Sequence, residues 1–504
     1  MNSTFEFGQF APDAPIYGGE HCTIARNVVR RGGAYRSLRG FGGASLGSIP
    51  QRALSGTTAL ARDGGLEVFI GGSSRLYWRS APRVFTDVSP IGSAFTPPLD
   101  FGWSWAQFGM RVIASNVVDG AYKFDIGVDA RFAALANAPA GKTLALIGDH
   151  LMMGDVREGA TRIPNRVRWS GFNNTEIWGS DFANQADFQD LDPAYGAVQA
   201  VIGGDYSTVF QSRAVTRVTR IGGDLVFSFQ LVDRERGAWA GRSVIRVGSL
   251  IFYLAQDGFY VFDGSSSRPI GVGRVDKWAL GQMSAAQREQ LRAAHDPAEA
   301  CVCWCWPIYP QPSGANPLAP ASIILRYAYL EDRWTYQIDT SPRGAVIFSG
   351  GAQSSPGVDD SATALADADT LIDAADAARD DQVLIALDYD GAATNAFAPN
   401  GSWLPAELHT AVQALSPRSR VLVTGGRALI DAVPPGNVII GVAAQESNLQ
   451  SPPGVFAEAS PNNTGFAPFR KSGRYFRARL GTQVDTSFSA AQGVDLVYTQ
   501  QGQR

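Results

Sequence analysis

Histidine is the side chain that most often does acid–base or metal chemistry near neutral pH, and this chain has four: His21, His150, His295 and His409. None forms an HxH or HExxH pair, and His150 falls in a Gly-Asp-His turn, so they read as packed or solvated residues. Three of the four cysteines share one run, Cys301-Val302-Cys303-Trp304-Cys305-Trp306. On a strand their thiols line one face, with Cα atoms about 6.6 Å apart. That is the far edge of disulfide reach, with badly aimed Cβ vectors, and no histidine or second cysteine pair follows at zinc spacing. The run therefore reads as small apolar packing on a buried strand.

Carboxylates give no clearer signal. Asp388-Tyr389-Asp390-Gly391 with Asn395 faintly resembles a calcium loop, but the ligand spacing fails beyond Asp390 and no glutamate closes it, so an acidic turn is expected. The repeated S-x-D-x-G-x-x-W box of sialidase blades is missing, and no carboxylate pair of the kind glycosidases use stands out. A phosphate-binding loop, a dinucleotide fingerprint and a nucleophile elbow are also lacking in a strand-turn-helix setting. No catalytic residue, metal site or cofactor is expected, and the chain reads as non-enzymatic. One basic and aromatic cluster remains, Phe469-Arg470-Lys471-Ser472-Gly473-Arg474-Tyr475-Phe476-Arg477-Ala478-Arg479-Leu480. As a strand it turns Phe476, Ala478 and Leu480 inward and Tyr475, Arg477 and Arg479 outward. Arg474, Tyr475, Arg477 and Arg479 are the candidate contacts, either for an acidic neighbour, such as the Asp-rich stretch 359–381, or for a phosphate backbone.

The elements that would carry such residues are short strands joined by tight turns. With 504 residues, 55 Gly and 28 Pro beside 11 Trp, 15 Tyr and 27 Phe, the chain is turn-rich without being low-complexity. Charged residues are 18% and the net charge is −4, which does not fit a dedicated nucleic-acid binder. No segment is apolar over the roughly 18 residues a membrane span needs, and no leader is recognised at the start, so a cytoplasmic, soluble product is expected. Six hairpins recur: 66–70 with 75–78, 111–115 with 121–125, 144–147 with 151–153, 215–220 with 225–231, 251–254 with 259–262, and 323–329 with 333–338. Each breaks at residues suited to hairpin turns. Tyr77, Tyr122, Trp169, Phe227 and Tyr260 recur at separations of 45, 47, 58 and 33 residues, scattered about the 40–50-residue propeller blade. The fold expected is mainly β: an N-terminal arm (1–48), a β-propeller core (49–345) with a helical insertion near 282–294, and a β-rich C-terminal region (346–504) with long loops, one of whose strands could close the propeller.

Several segments, in order along nearly the whole chain, resemble the tail nozzle or hub proteins of short-tailed bacteriophages, the group of tail tubular protein B and the packaged-DNA stabilisation proteins. They are Phe10-Ala11-Pro12-Asp13-Ala14-Pro15, Cys22-Thr23-Ile24-Ala25-Arg26-Asn27, Arg168-Trp169-Ser170-Gly171-Phe172-Asn173, Gln256-Asp257-Gly258-Phe259-Tyr260-Val261-Phe262-Asp263-Gly264, Val275-Asp276-Lys277-Trp278, Arg333-Trp334-Thr335 and Gly473-Arg474-Tyr475-Phe476. The cysteine-rich strand departs from the plainer aliphatics expected there. The resemblance implies a virion subunit in a homo-oligomeric ring, a hexamer, beneath portal and adaptor proteins and beside tail fibres or spikes. Packaged double-stranded DNA would be retained and conducted through that ring. The alternative reading is a carbohydrate-binding or glycoside-hydrolysing propeller.

Overall fold

The computed structural model describes residues 1–42, 45–204, 206–222, 225–308, 322–339, 346–353, 380–416, 419–447 and 455–501. Most of the Asp-rich stretch, 359–379, and parts of the turn at 222–224 and the loop at 447–464, lie outside the described residues.

Each of the six hairpins falls in a different four-stranded antiparallel meander. These meanders are the successive blades at 53–87 (blade 1), 104–134 (blade 2), 140–190 (blade 3), 198–233 (blade 4), 245–269 (blade 5) and 292–339 (blade 6). A seventh blade follows, made of Val346–Gln353, Asp380–Tyr389 and Thr394–Phe397, with Gly47–Ile49 as its fourth, outermost strand. The propeller therefore runs from 47 to 397 rather than from 49 to 345, and it is closed by a strand from near the N-terminus. Strand Gly47–Ile49 also pairs in parallel with the outer strand of blade 1, Gly47 opposite Arg83, so the two closing blades share one sheet.

Alternation along each strand gives every blade two apolar faces, and each interface between neighbouring blades holds its own buried cluster. Leu144, Leu151 and Met153 of blade 3 face blade 2, whereas Ile147, Met152 and Trp169 face blade 4. Strand Cys301–Pro307 shows the rule most plainly. Val302, Trp304 and Trp306 pack toward blade 5, with Trp304 4.7 Å from Phe259 between ring centroids, while Cys301, Cys303 and Cys305 pack toward Ile347, Leu384 and Ala386 of blade 7. Small residues on that face let blade 7 approach closely.

The remaining strands form a second unit from both ends of the chain. Residues 1–48 are not a free arm. Asn2–Glu6 pairs with Ala491–Gln500, and Cys22–Arg26 lies between Arg333–Asp339 of blade 6 and Glu407–Thr410. Two sheets result. One holds Val28–Arg31, Ala34–Ser37, Ala491–Gln500, Val421–Ile430 and Ala467–Gly473, while the other continues the sheet of blade 6 through Cys22–Arg26 to Tyr475–Thr482 and Val438–Gln445. Phe5, Tyr35, Val423, Ile440, Phe476 and Leu496 fill the space between them. A propeller is thus inserted into a split β-sandwich.

The helix expected near 282–294 is displaced. Helices span Asp276–Gln282 and Ala285–Glu289, the second opened by a capping box of Ser284 and Gln287, and Arg292–Asp296 is the first strand of blade 6. Good helix formers at 285–294 outweigh nothing here, because the register of Arg292–Asp296 against Cys301–Cys305 buries Ala294 in the blade interface.

Candidate functional site

Strand Tyr475–Thr482 lies in the sandwich, between Glu407–Thr410 and Val438–Gln445. Phe476, Ala478 and Leu480 are buried in the core, and Tyr475, Arg477 and Arg479 stand on the opposite face. That face is a network. Glu407 forms ion pairs with Arg26 at 2.5 Å and Arg479 at 3.1 Å and accepts from His409 Nε2 at 2.8 Å. Arg479 also pairs with Glu458. Arg477 donates from Nε to the Thr410 carbonyl at 3.1 Å and from a terminal nitrogen to the Thr23 hydroxyl. The Phe456 ring lies 5.9 Å from each of the two guanidinium carbons and 5.0 Å from the His409 ring.

The electrostatics follow from these contacts. The hydrogen bond from His409, helped by Arg26 and Arg479, outweighs burial and holds the Glu407 carboxyl down at about 2. Burial lowers His409 against the pull of Glu407, so a neutral imidazole donates Nε2–H. Its Nδ1 is buried without a partner. Burial likewise lowers Arg477. The result is a locked polar surface, with three arginines set against two carboxylates. Tyr475 packs edge-on to Tyr17 at 6.3 Å, and Arg474 is exposed, its side chain making no hydrogen bond or ion pair with a described residue. Sequence reasoning reached Tyr475, Arg477 and Arg479 through alternation, but not Arg26, Glu407, Phe456 and Glu458. Those come from three distant segments, and pairing between distant strands has no local signature.

The other candidates resolve separately. Cys301, Cys303 and Cys305 are free and buried, and burial pushes the Cys303 thiol up to about 12. Such thiols are inert nucleophiles at neutral pH. His150 is buried with Nδ1 2.7 Å from the Ser170 carbonyl, and His295 lies 3.2 Å from the Tyr329 hydroxyl. Asp390 accepts from the backbone N–H groups of Ala392 and Ala393 at 2.9 and 2.8 Å, as a turn aspartate does, and Asp388 is buried on the adjoining strand. Among the described residues, no group of three or more histidines, cysteines or carboxylates is placed to hold a metal ion.

A groove of about 1050 Å³ lies along blades 1 to 3 and is lined by Asp63, Glu67, Trp78, Met110, Arg111 and Asp125 among others. Its carboxylates are engaged. Glu67 accepts from the Trp78 indole at 2.6 Å, and Asp125 is held by both arms of Arg111 at 2.7 and 2.9 Å, which lowers it below the usual range. A glycosidase acid needs the opposite displacement.

Fold and surface together define a class: a seven-bladed β-propeller inserted into a split β-sandwich. No family profile and no curated protein matches the chain. Among solved structures it is similar to the WD40 domain of Neurospora crassa Pan2 (10% identity, 71% of this chain and 95% of that one, TM-score 0.39). It is also similar to a computationally designed protein, Ika8 (10% identity, 78% and 100%, TM-score 0.35), and to a glycoside hydrolase (9% identity, 90% and 99%, TM-score 0.29). The blade assignment rests on this chain's own sheets and their packing.

Proposed function

We propose that the chain is a non-catalytic structural subunit of a short-tailed phage tail. In this reading it forms a closed homo-oligomeric ring, a hexamer, below the portal and adaptor proteins, where packaged DNA is held and later passes out. The observation that carries the reading is the continuity of one sheet from blade 6 into the sandwich. A ring that bears internal pressure needs its parts joined by main-chain hydrogen bonds rather than by a flexible linker, and this fold joins them so. The ordered resemblance along the sequence supplies the setting. Exposed Phe172, Phe182 and Phe188 on blade 3 supply apolar surface for neighbouring subunits. Arg474 and the network around Arg477 and Arg479 form the candidate subunit or DNA-channel face. Electron microscopy of particles from cells that produce the chain is expected to show it as a closed ring in the tail; recovery of the chain only free of particles overturns the proposal.

A second reading, a glycan-binding propeller, has the Trp78-lined groove in its favour. Glycan arrays and glycosidase assays on the isolated chain separate the two. Robust turnover excludes the structural reading, and no binding on the array removes the second.

A further inference from the structure

The first strands of the seven blades, or the turns leading into them, surround a central cavity of about 250 Å³, lined among others by Gly56, Ser104, Thr143, Arg242, Arg292 and Phe348. Pockets for drug-sized ligands generally run to about 300–1,000 Å³, so this space suits a smaller guest. Phe101 forms part of the wall. It is set there by Gly102, whose φ of +69° and contact of an added Cβ with Leu54 at 2.8 Å exclude a side chain.

Cations gather around this ring. The Arg242 guanidinium lies 4.3 Å and the Lys142 ammonium 5.0 Å from its centroid. Arg242 donates from Nε to the Phe101 carbonyl at 3.1 Å, and Arg292 from Nη2 to the Asp100 carbonyl at 2.5 Å. Lys142 donates to the Gln199 amide oxygen at 3.0 Å. None of the three forms an ion pair with a described residue. Asp155, a buried acid near Lys142, is already taken by Arg162 at 2.7 and 2.6 Å. Arg292 is only 6% exposed, and Arg242 keeps part of its surface open at the cavity. Arg242 Nη2 and Arg292 Nε are buried with no acceptor.

Uncompensated buried charge is among the costliest arrangements in a fold. Burial, and then the neighbouring Arg292, push Arg242 well below its ordinary value, and Arg292 falls to about 10. The Asp100 carboxylate offsets only part of this cost at Arg292, which still falls below its ordinary value, and a negative guest at the guanidinium groups would offset more of it.

We propose that this cavity is a binding site for a small oxyanion, a phosphate or a short carboxylate, held by Arg242 and Arg292 with Lys142 adding charge. An oxyanion supplies the acceptors that the unpaired N–H groups lack, in the geometry guanidinium groups favour. The site does not depend on the tail reading: a space of about 250 Å³ does not admit a polynucleotide.

The test is thermal unfolding and calorimetric titration of the full chain with inorganic phosphate and with acetate, in parallel with sodium chloride at matched ionic strength. Phosphate, acetate or both are expected to raise the midpoint saturably by at least about 1–2 °C where chloride does not, and the more effective anion identifies the source. Arg242→Met is expected to abolish the shift while melting in chloride no lower than the parent, since it removes an unpaired buried charge. Arg292→Lys, which retains charge but loses the fork, is expected to weaken binding at least about tenfold and serves if the methionine variant does not fold. Absence of any saturable shift up to millimolar anion, or parental affinity in both variants, overturns the proposal.

Discussion

Blades 2 to 5 and the place where the two ends of the chain meet are made of the same kind of strand by opposite routes. In blades 2 to 5 every strand pairs with its neighbour in sequence, as Phe252 does with Val261. In blade 7 and the sandwich the partners are remote: Ser48 opposite Asn395, Phe5 opposite Val494, Arg26 beside Glu407. Bringing ends that far apart together costs about 3 kcal/mol more in loop-closure entropy than closing a hairpin. Side-chain burial across the junction must offset it, and the closing clusters are accordingly apolar: Ile49, Ile70, Val346, Phe348, Ile385 and Leu387 at blades 7 and 1. The lesson is that local blades make the propeller, and distant strands decide whether it is a ring.

Substitutions that weaken one route and not the other sharpen this contrast. The largest effect is expected from Trp304→Ala, which empties the interface of blades 5 and 6 and loses the indole hydrogen bond to the Ser243 carbonyl at 3.0 Å. About 3–5 kcal/mol should be lost in equilibrium unfolding; a loss below about 1 kcal/mol would mean that the interface is not packed as described. Ile49→Ala, in the closing strand, should cost about 2–3 kcal/mol and should raise hydrogen exchange in 394–397 before it does so in 111–125. Equal exchange in both segments would erase the distinction between the two routes.

The sandwich should also differ in its response to acid. Glu407 is held at about 2 in the fold against an ordinary 4.5. Its contribution is therefore full above about pH 4.5 and is lost as pH falls toward 2, worth about 1–2 kcal/mol after allowing for solvent screening. Glu407→Gln should flatten that part of the pH–stability curve, and an unchanged slope would remove Glu407 as its source. Arg474→Ala should change stability by less than about 0.5 kcal/mol. A larger loss would show that Arg474 is part of the locked network.

The same contrast explains what could be read from sequence. All six hairpins were legible because turn residues and alternation are local, and each fell in its own blade. The cysteine strand was legible as packing, and alternation put Arg477 and Arg479 on the outer face. The seventh blade was not legible, because its fourth strand, Gly47–Ile49, is three residues long and lies far from its partners. The helix near 282–294 was misplaced because Ala and Gln favour a helix locally, whereas the pairing of Ala294 with Cys303 needs a strand. Glu407 and Glu458 carried no sign that they would meet Arg479.

Closure by strand Gly47–Ile49 is the claim on which the ring, its central cavity and the placing of the sandwich all rest. Ser48 and Asn395 face each other across an antiparallel pair, where Cα atoms are about 4.5–5.5 Å apart and a disulfide can form. In the Ser48→Cys, Asn395→Cys variant, mild oxidation of the folded chain should give a crosslinked 48–395 peptide in near-quantitative yield by mass spectrometry. A folded variant in which the two thiols stay free would contradict the closed seven-bladed ring.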